Sequence, residues 1–153
     1  MLALNDLVSP MNRLVVSLLR SRLHAVASQG LMVVSWSGRR SGTRFSIPVG
    51  YQQDGDIVMV LLSKPSEKNW WKNFRSAWPA ELLIQGRSRT AMGHWIVPGS
   101  ADFFAPIEST LQRLSWMGSQ FGGFKFDRAT GLTDDQKRLV YEKAGVIRFD
   151  LTD

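Results

Sequence analysis

At residue 31 the apolar pattern of this chain changes period, and that switch constrains the fold more than any other feature. Before it, Met11, Leu14, Val15, Leu18 and Leu19 recur at steps of three and four, the spacing of one helix face. After it come short runs of strand length. "LMVVSWS" is followed by a turn over Gly38–Gly42, then by "RFSIPVGYQ", which puts Phe45, Ile47, Val49 and Tyr51 on one face. These two runs predict a hairpin. Asp54-Gly55 marks a second turn before "DIVMVLLS", whose two faces are both apolar, as expected of a central strand covered on both sides. The order predicts a three-strand meander. "AELLIQG" and "RTAMGHWIV" predict another pair bending near Gly86, and "GVIRFDL" a closing strand. About six short antiparallel strands imply a small barrel, mainly β with flanking helices (α+β).

The remaining segments fit around that barrel as one domain. Residues 1–30 are expected to form a helical N-terminal extension, 31–97 the barrel core, 98–144 a helical insertion and 145–151 the closing strand. Ser9 is a suitable N-cap with Pro10 at the first helical position. Ala25-Val26-Ala27 resembles a signal-peptidase site, but Arg20, Arg22 and His24 separate it from an apolar run too short to span a bilayer. With Arg13, Arg20 and Arg22 off its apolar stripe, this helix either packs on its own domain or lies on an anionic membrane. In the insertion, a helix is expected near 100–117, then the Gly-rich "GSQFGGFKF", then a helix capped by Thr133 with acids in its first turn and Lys143 in its last.

Composition narrows the chemistry. No cysteine occurs, so there is no disulfide, thiolate nucleophile or Cys-bound metal, and the expected location is cytoplasmic, with membrane association through the N-terminal helix as the variant. The net charge of +6 favours anionic partners. His24 and His94 have no metal-ligand spacing, and there is no Gly-x-Ser-x-Gly elbow or paired-carboxylate motif. His94 is either a strand surface residue or a proton donor to a product.

Two basic clusters stand out. Arg39, Arg40 and Ser41 occupy the first hairpin turn and Arg44 begins the next strand, while Gly38 and Gly42 allow close approach of the backbone to a ligand. This is either a solvated hairpin or a phosphate site. Ser63 and Lys64 end the presumed central strand, ahead of Trp70, Trp71 and Asn73. If the strands at 31–37 and 56–63 are neighbours, Lys64 joins the arginine turn in one groove. The tryptophans then serve either the core or a planar ligand.

Over residues 18–86, "LLRSRLH", "GRRSGTRFSIPVGY", the Asp54-Gly55 turn, "SKPSEKNWWKN" and "WPAELLIQG" together resemble the deazaflavin-dependent nitroreductase family of split β-barrel oxidoreductases. The resemblance implies a split β-barrel binding coenzyme F-420, an 8-hydroxy-5-deazaflavin, with FMN as the alternative cofactor. By position, it implies that Arg39, Arg40, Ser41 and Arg44 hold the anionic tail and that Ser63 and Lys64 hold the phosphate. The ring would lie along Pro48, Val49 and Gly50, with Trp70, Trp71 and Asn73 near its edge. Substrate-pocket candidates are Tyr51, Trp116, Phe121 and Phe124. The chain departs from the family in its short Lys64–Trp70 connection, in Trp78, and in its few C-terminal tyrosines.

Three function classes follow. The first is a deazaflavin oxidoreductase passing a hydride to a hydrophobic acceptor such as a quinone, nitroaromatic or unsaturated lipid. The second is a non-catalytic carrier of an apolar ligand, lipid or haem-like. A nucleic-acid binder ranks last, because the aromatics fall on core faces instead of alternating with Lys and Arg. The family analogy also allows a homodimer.

Overall fold

The computed structural model describes residues 30–153. The helix expected over the N-terminal stripe, its Ser9 cap and His24 lie outside the described residues. Seven strands form one antiparallel sheet in the order β2-β1-β5-β6-β7-β4-β3. These are β1 (Leu31–Ser37), β2 (Arg44–Gly50), β3 (Gln52–Asp54), β4 (Ile57–Ser63), β5 (Trp78–Ile84), β6 (Arg87–Trp95) and β7 (Ala144–Leu151). The sheet curls into a half-barrel. Helices α1 (Ala101–Arg113), α2 (Gly118–Phe121) and α3 (Asp134–Lys143) lie between β6 and β7 in the chain.

Local chemistry accounts for the turns. β1 and β2 pair from Leu31↔Gly50 to Ser37↔Arg44, and the connecting loop closes through Gly38 N–H to Thr43 O (2.8 Å) and Gly42 N–H to Gly38 O (2.9 Å). Gly42 takes φ 69°, a left-handed value that favours glycine. Gln85 and Gly86 form a two-residue turn with φ 48° and 80°, which matches the twist of the β5–β6 hairpin. Thr133 caps α3 in a reciprocal capping box with Gln136.

The expected meander is corrected in two ways. β4 does not pair with β1 or β2; it pairs along its whole length with β7, from Ile57↔Asp150 to Ser63↔Ala144. A seventh strand, the three-residue β3, covers the other edge of β4 through Gln52↔Met59 and Asp54↔Ile57. The closing strand is therefore internal, joining β6 to β4.

Two apolar layers result. Inside the curl, Met32, Val34, Trp36, Val58, Val60, Phe74 and Phe149 form the first core. Phe103, Ile107, Leu111, Phe121 and Val140 pack the helices onto Val146, with Met59 and Leu61 of β4 facing the same layer. The double-sided apolarity of β4 is explained by its position between these cores.

The first core leaves no room at Gly93. A Cβ there would stand 2.5 Å from the Phe149 ring and 2.8 Å from the Phe74 ring. Gly93→Ala is expected to destabilise the fold by about 1–3 kcal/mol, from overpacking alone; chemical denaturation against the parent protein measures this.

Candidate functional site

Two cavities occupy opposite ends of β1. The first, about 520 Å³, opens between the β1–β2 turn and a 3-10 turn at Trp70–Phe74. Arg39, Arg40, Ser41, Lys72, Asn73 and Arg75 line it, with the Phe45 ring and Gly38, and no acidic side chain among the described residues does. Four cations thus face one space. Such an arrangement is costly in self-repulsion unless anions share it.

Aromatic rings organise these cations. The Trp71 ring stacks on Trp95 at 4.3 Å between centroids, and its Nε1 donates to Pro65 O (2.7 Å) and Lys68 O (3.0 Å). Over the same ring lie the Arg75 guanidinium at 5.3 Å and the Lys72 ammonium at 6.0 Å. Trp70 faces inward against Trp36 and Phe74, closing the end of the first core. Arg39 is held differently. Its Nε donates to Asn73 O (2.7 Å), and its Nη2 donates to Ser76 O (2.8 Å), Ser76 Oγ (2.8 Å) and Ala77 O (3.0 Å). The guanidinium also sits 4.2 Å from the centre of the Trp78 ring. The Ser41 hydroxyl accepts from Thr43 N–H (3.1 Å), tightening the loop that presents Arg40.

The second cavity, about 500 Å³, lies at the other end of the β1–β2 hairpin, between Gly30, Leu31 and Gly50 on one side and the C-terminal end of α1 on the other. Leu31, Met59, Leu61, Leu114, Trp116 and Met117 make it mostly apolar, with Tyr51, Gln52, Thr110 and Arg113 as its polar groups. Gln52 ties β3 to α1 by donating to Pro106 O (2.9 Å) and to Thr110 Oγ1. Burial raises the Tyr51 hydroxyl above the ordinary phenol value of 10.0, an effect partly offset by a hydrogen bond with the Gln85 side chain. The seven residues of β1, about 23 Å of extended chain, separate the two cavities.

The sequence-predicted residues divide between these places. Arg39, Arg40, Ser41 and Asn73 meet in the basic cavity, whereas Arg44 lies outside it and reaches across β1 to Glu81 (2.7 Å). Ser63 and Lys64 are absent from its lining because β4 neighbours β7; Lys64 N–H donates to Lys143 O, and Ser63 O accepts from Lys68 Nζ. Lys72 and Arg75 supply the second cluster in their stead. Spacing of three along "KNFR" was the available signal, since it puts both cations on one side of a helical turn. Pro48, Val49 and Gly50 do not present one surface: Val49 packs on the first core, Pro48 points to the opposite side of β2, and Gly50 lines the apolar cavity. Trp70 and Trp71 are at the far end of the barrel from Gly50.

Among the pocket candidates, Tyr51 and Trp116 line the apolar cavity together. Phe124 lies beside Trp116 in an adjoining hollow, while Phe121 is buried in the second core. His94 stands on β6 with its Nδ1 3.8 Å from Asp150 Oδ2, and lines neither cavity. Among the described residues no cluster of His, Asp or Glu could hold a metal, and no helix is long and apolar enough to cross a membrane.

No protein-family model matches the chain, and no curated protein matches it by sequence. Similar solved structures include a candidate 5-nitroimidazole antibiotic resistance protein from Bacteroides thetaiotaomicron, with 9% identity, 86% of this chain and 79% of that one covered, and a TM-score of 0.42. An FAD and heme binding protein from Mycobacterium smegmatis shares 16% identity over 88% of this chain and 72% of its own, at TM-score 0.39. The heme storage protein HutZ from Vibrio cholerae shares 10% over 88% and 92%, at 0.41.

Because burial favours the neutral hydroxyl, the phenolate absorbance lost in a Tyr51→Phe variant is expected to titrate with a midpoint above 10.0 in the folded protein. A midpoint at or below that value overturns the placement of Tyr51 in a desolvated wall.

Proposed function

We propose that this chain is an oxidoreductase that binds an anionic deazaflavin, coenzyme F-420, and passes a hydride to a small hydrophobic acceptor. The observation that carries this reading is the cavity with Arg39, Arg40, Lys72 and Arg75 around it and no acid among its described lining residues. Its donor chemistry suits phosphate and carboxylate groups, which guanidinium forks bind in pairs. Arg40, Lys72 and Arg75, beside the backbone-bound Arg39, offer more charge than one phosphate requires, and that excess favours a cofactor with a long polyanionic tail over FMN.

In this reading, Arg40, Ser41, Lys72 and Arg75 hold the tail. The bound cofactor supplies the two-electron chemistry. The protein's own part is to place the partners and keep water away, and the mostly apolar cavity at Tyr51 and Trp116 suits an apolar acceptor. Tyr51 stays protonated near neutral pH and is therefore a hydrogen-bond donor there.

The same cavity favours a second reading. Among the described residues neither a histidine nor a lysine lines it, and its mostly apolar wall suits a carrier of an apolar ligand. Native mass spectrometry separates the two, since a carrier retains an apolar molecule through gentle purification.

The deciding experiment is a fluorescence titration with coenzyme F-420 and with FMN at low and moderate salt. Saturable, salt-sensitive binding of the deazaflavin is expected. Arg40→Ala should weaken deazaflavin about tenfold, the loss of one charge-assisted contact, and FMN less. Equal losses for both cofactors would remove the tail argument, and no binding of either would leave the carrier reading.

A further inference from the structure

Arg39 and Arg40 are adjacent in sequence but differ in what their side chains do. Arg40 is exposed and has no ion-pair partner among the described residues. Arg39 spends its Nε and Nη2 on the carbonyls of Asn73, Ser76 and Ala77, and its guanidinium face on Trp78. Those carbonyls lie at and just beyond the C-terminal end of the Trp70–Phe74 turn, where a helical end leaves acceptors unsatisfied. The backbone continues the same clamp: Arg39 N–H donates to Asn73 Oδ1 (3.2 Å), and Asn73 Nδ2 donates to Trp70 O (2.9 Å). Trp78 is itself fixed by its Nε1 donating to Ser37 O (2.7 Å).

The Arg39 bonds to Asn73, Ser76 and Ala77 join the β1–β2 turn to the segment that carries Lys72 and Arg75, while the Trp78 contacts tie the same turn to β5. These two cations are brought to Arg40 by no shared strand, since residues 64–77 only connect β4 to β5. We propose that Arg39 is a positioning residue, which docks the Lys72–Arg75 segment against the hairpin and so assembles the anion site without itself being the principal ligand. This inference rests on the anion-binding reading above.

A lysine in place of Arg39 keeps the charge but loses the planar fork that reaches several carbonyls at once. The test is calorimetric titration with pyrophosphate at low salt, on the full chain. Arg39→Lys is expected to lose about tenfold in affinity, comparable to Lys72→Ala with Arg75→Ala. Combining all three should cost little beyond either alone, because the cations are already displaced. Arg40→Ala, in contrast, should add its own loss on top of Arg39→Lys.

Trp78→Leu provides an independent variant. It removes the ring under the guanidinium and leaves every charge in place, so weakened binding is again expected. Parent-like affinity in both Arg39→Lys and Trp78→Leu would overturn the positioning role, as would full additivity of Arg39→Lys with the Lys72 and Arg75 changes. Failure of the parent protein to bind pyrophosphate is a different result; it would remove the anion site itself.

Discussion

The pairing of β7 between β6 and β4 is the constraint on which the rest of this structure depends. β4 faces the inner core with Val58, Val60 and Leu62 and β6 with Ala91 and Trp95, yet the two strands meet only through residues 144–151. That strand carries Phe149 into the inner core and Val146 into the outer one. With β4 removed from the β1–β2 hairpin, the connection from residue 64 to 77 must cross the end of the barrel. The crossing segment then closes the inner core with Trp70 and Phe74 and brings Lys72 and Arg75 to the hairpin turn. Topology, not sequence proximity, therefore creates the basic cavity.

The cavity gathers charge on a rigid support. Exposed lysines and arginines usually lose side-chain entropy on binding an anion, which reduces the net gain. Here the Trp71 ring underlies Lys72 and Arg75, and its own stacking on Trp95 fixes its plane. A pre-arranged set of cations gives up less freedom when an anion arrives. The apolar cavity is built by another route, with β3 and α1 fastened through Gln52 so that Tyr51 and Trp116 face a common space.

Much of the fold was legible where local chemistry decides it. The β1–β2 hairpin, the Asp54-Gly55 turn, the Gly86 bend and the Thr133 cap all rest on residues within a few positions of one another. Strand order was not legible, because β4 pairs with residues far along the chain and its two apolar faces fit several neighbours equally well. β3 was too short to show an alternating pattern. For the candidate site, Arg39 through Ser41 announced a basic turn, while its partners depended on the strand order and so were assigned to Ser63 and Lys64 instead of Lys72 and Arg75. Of the aromatic residues expected at a pocket, Tyr51 and Trp116 line a cavity, whereas Phe121, indistinguishable from them by composition, lies in the core.

The stack of Trp71 on Trp95 has an optical consequence. Two indoles 4.3 Å apart and inclined by 26° are close enough for their electronic transitions to mix, which splits an absorption band into paired circular-dichroism signals of opposite sign. Because Lys72 and Arg75 sit over the same indole, any anion that draws them away changes the field at one ring of the pair. The basic cavity thus carries its own chromophore, and its occupancy can be followed without a label.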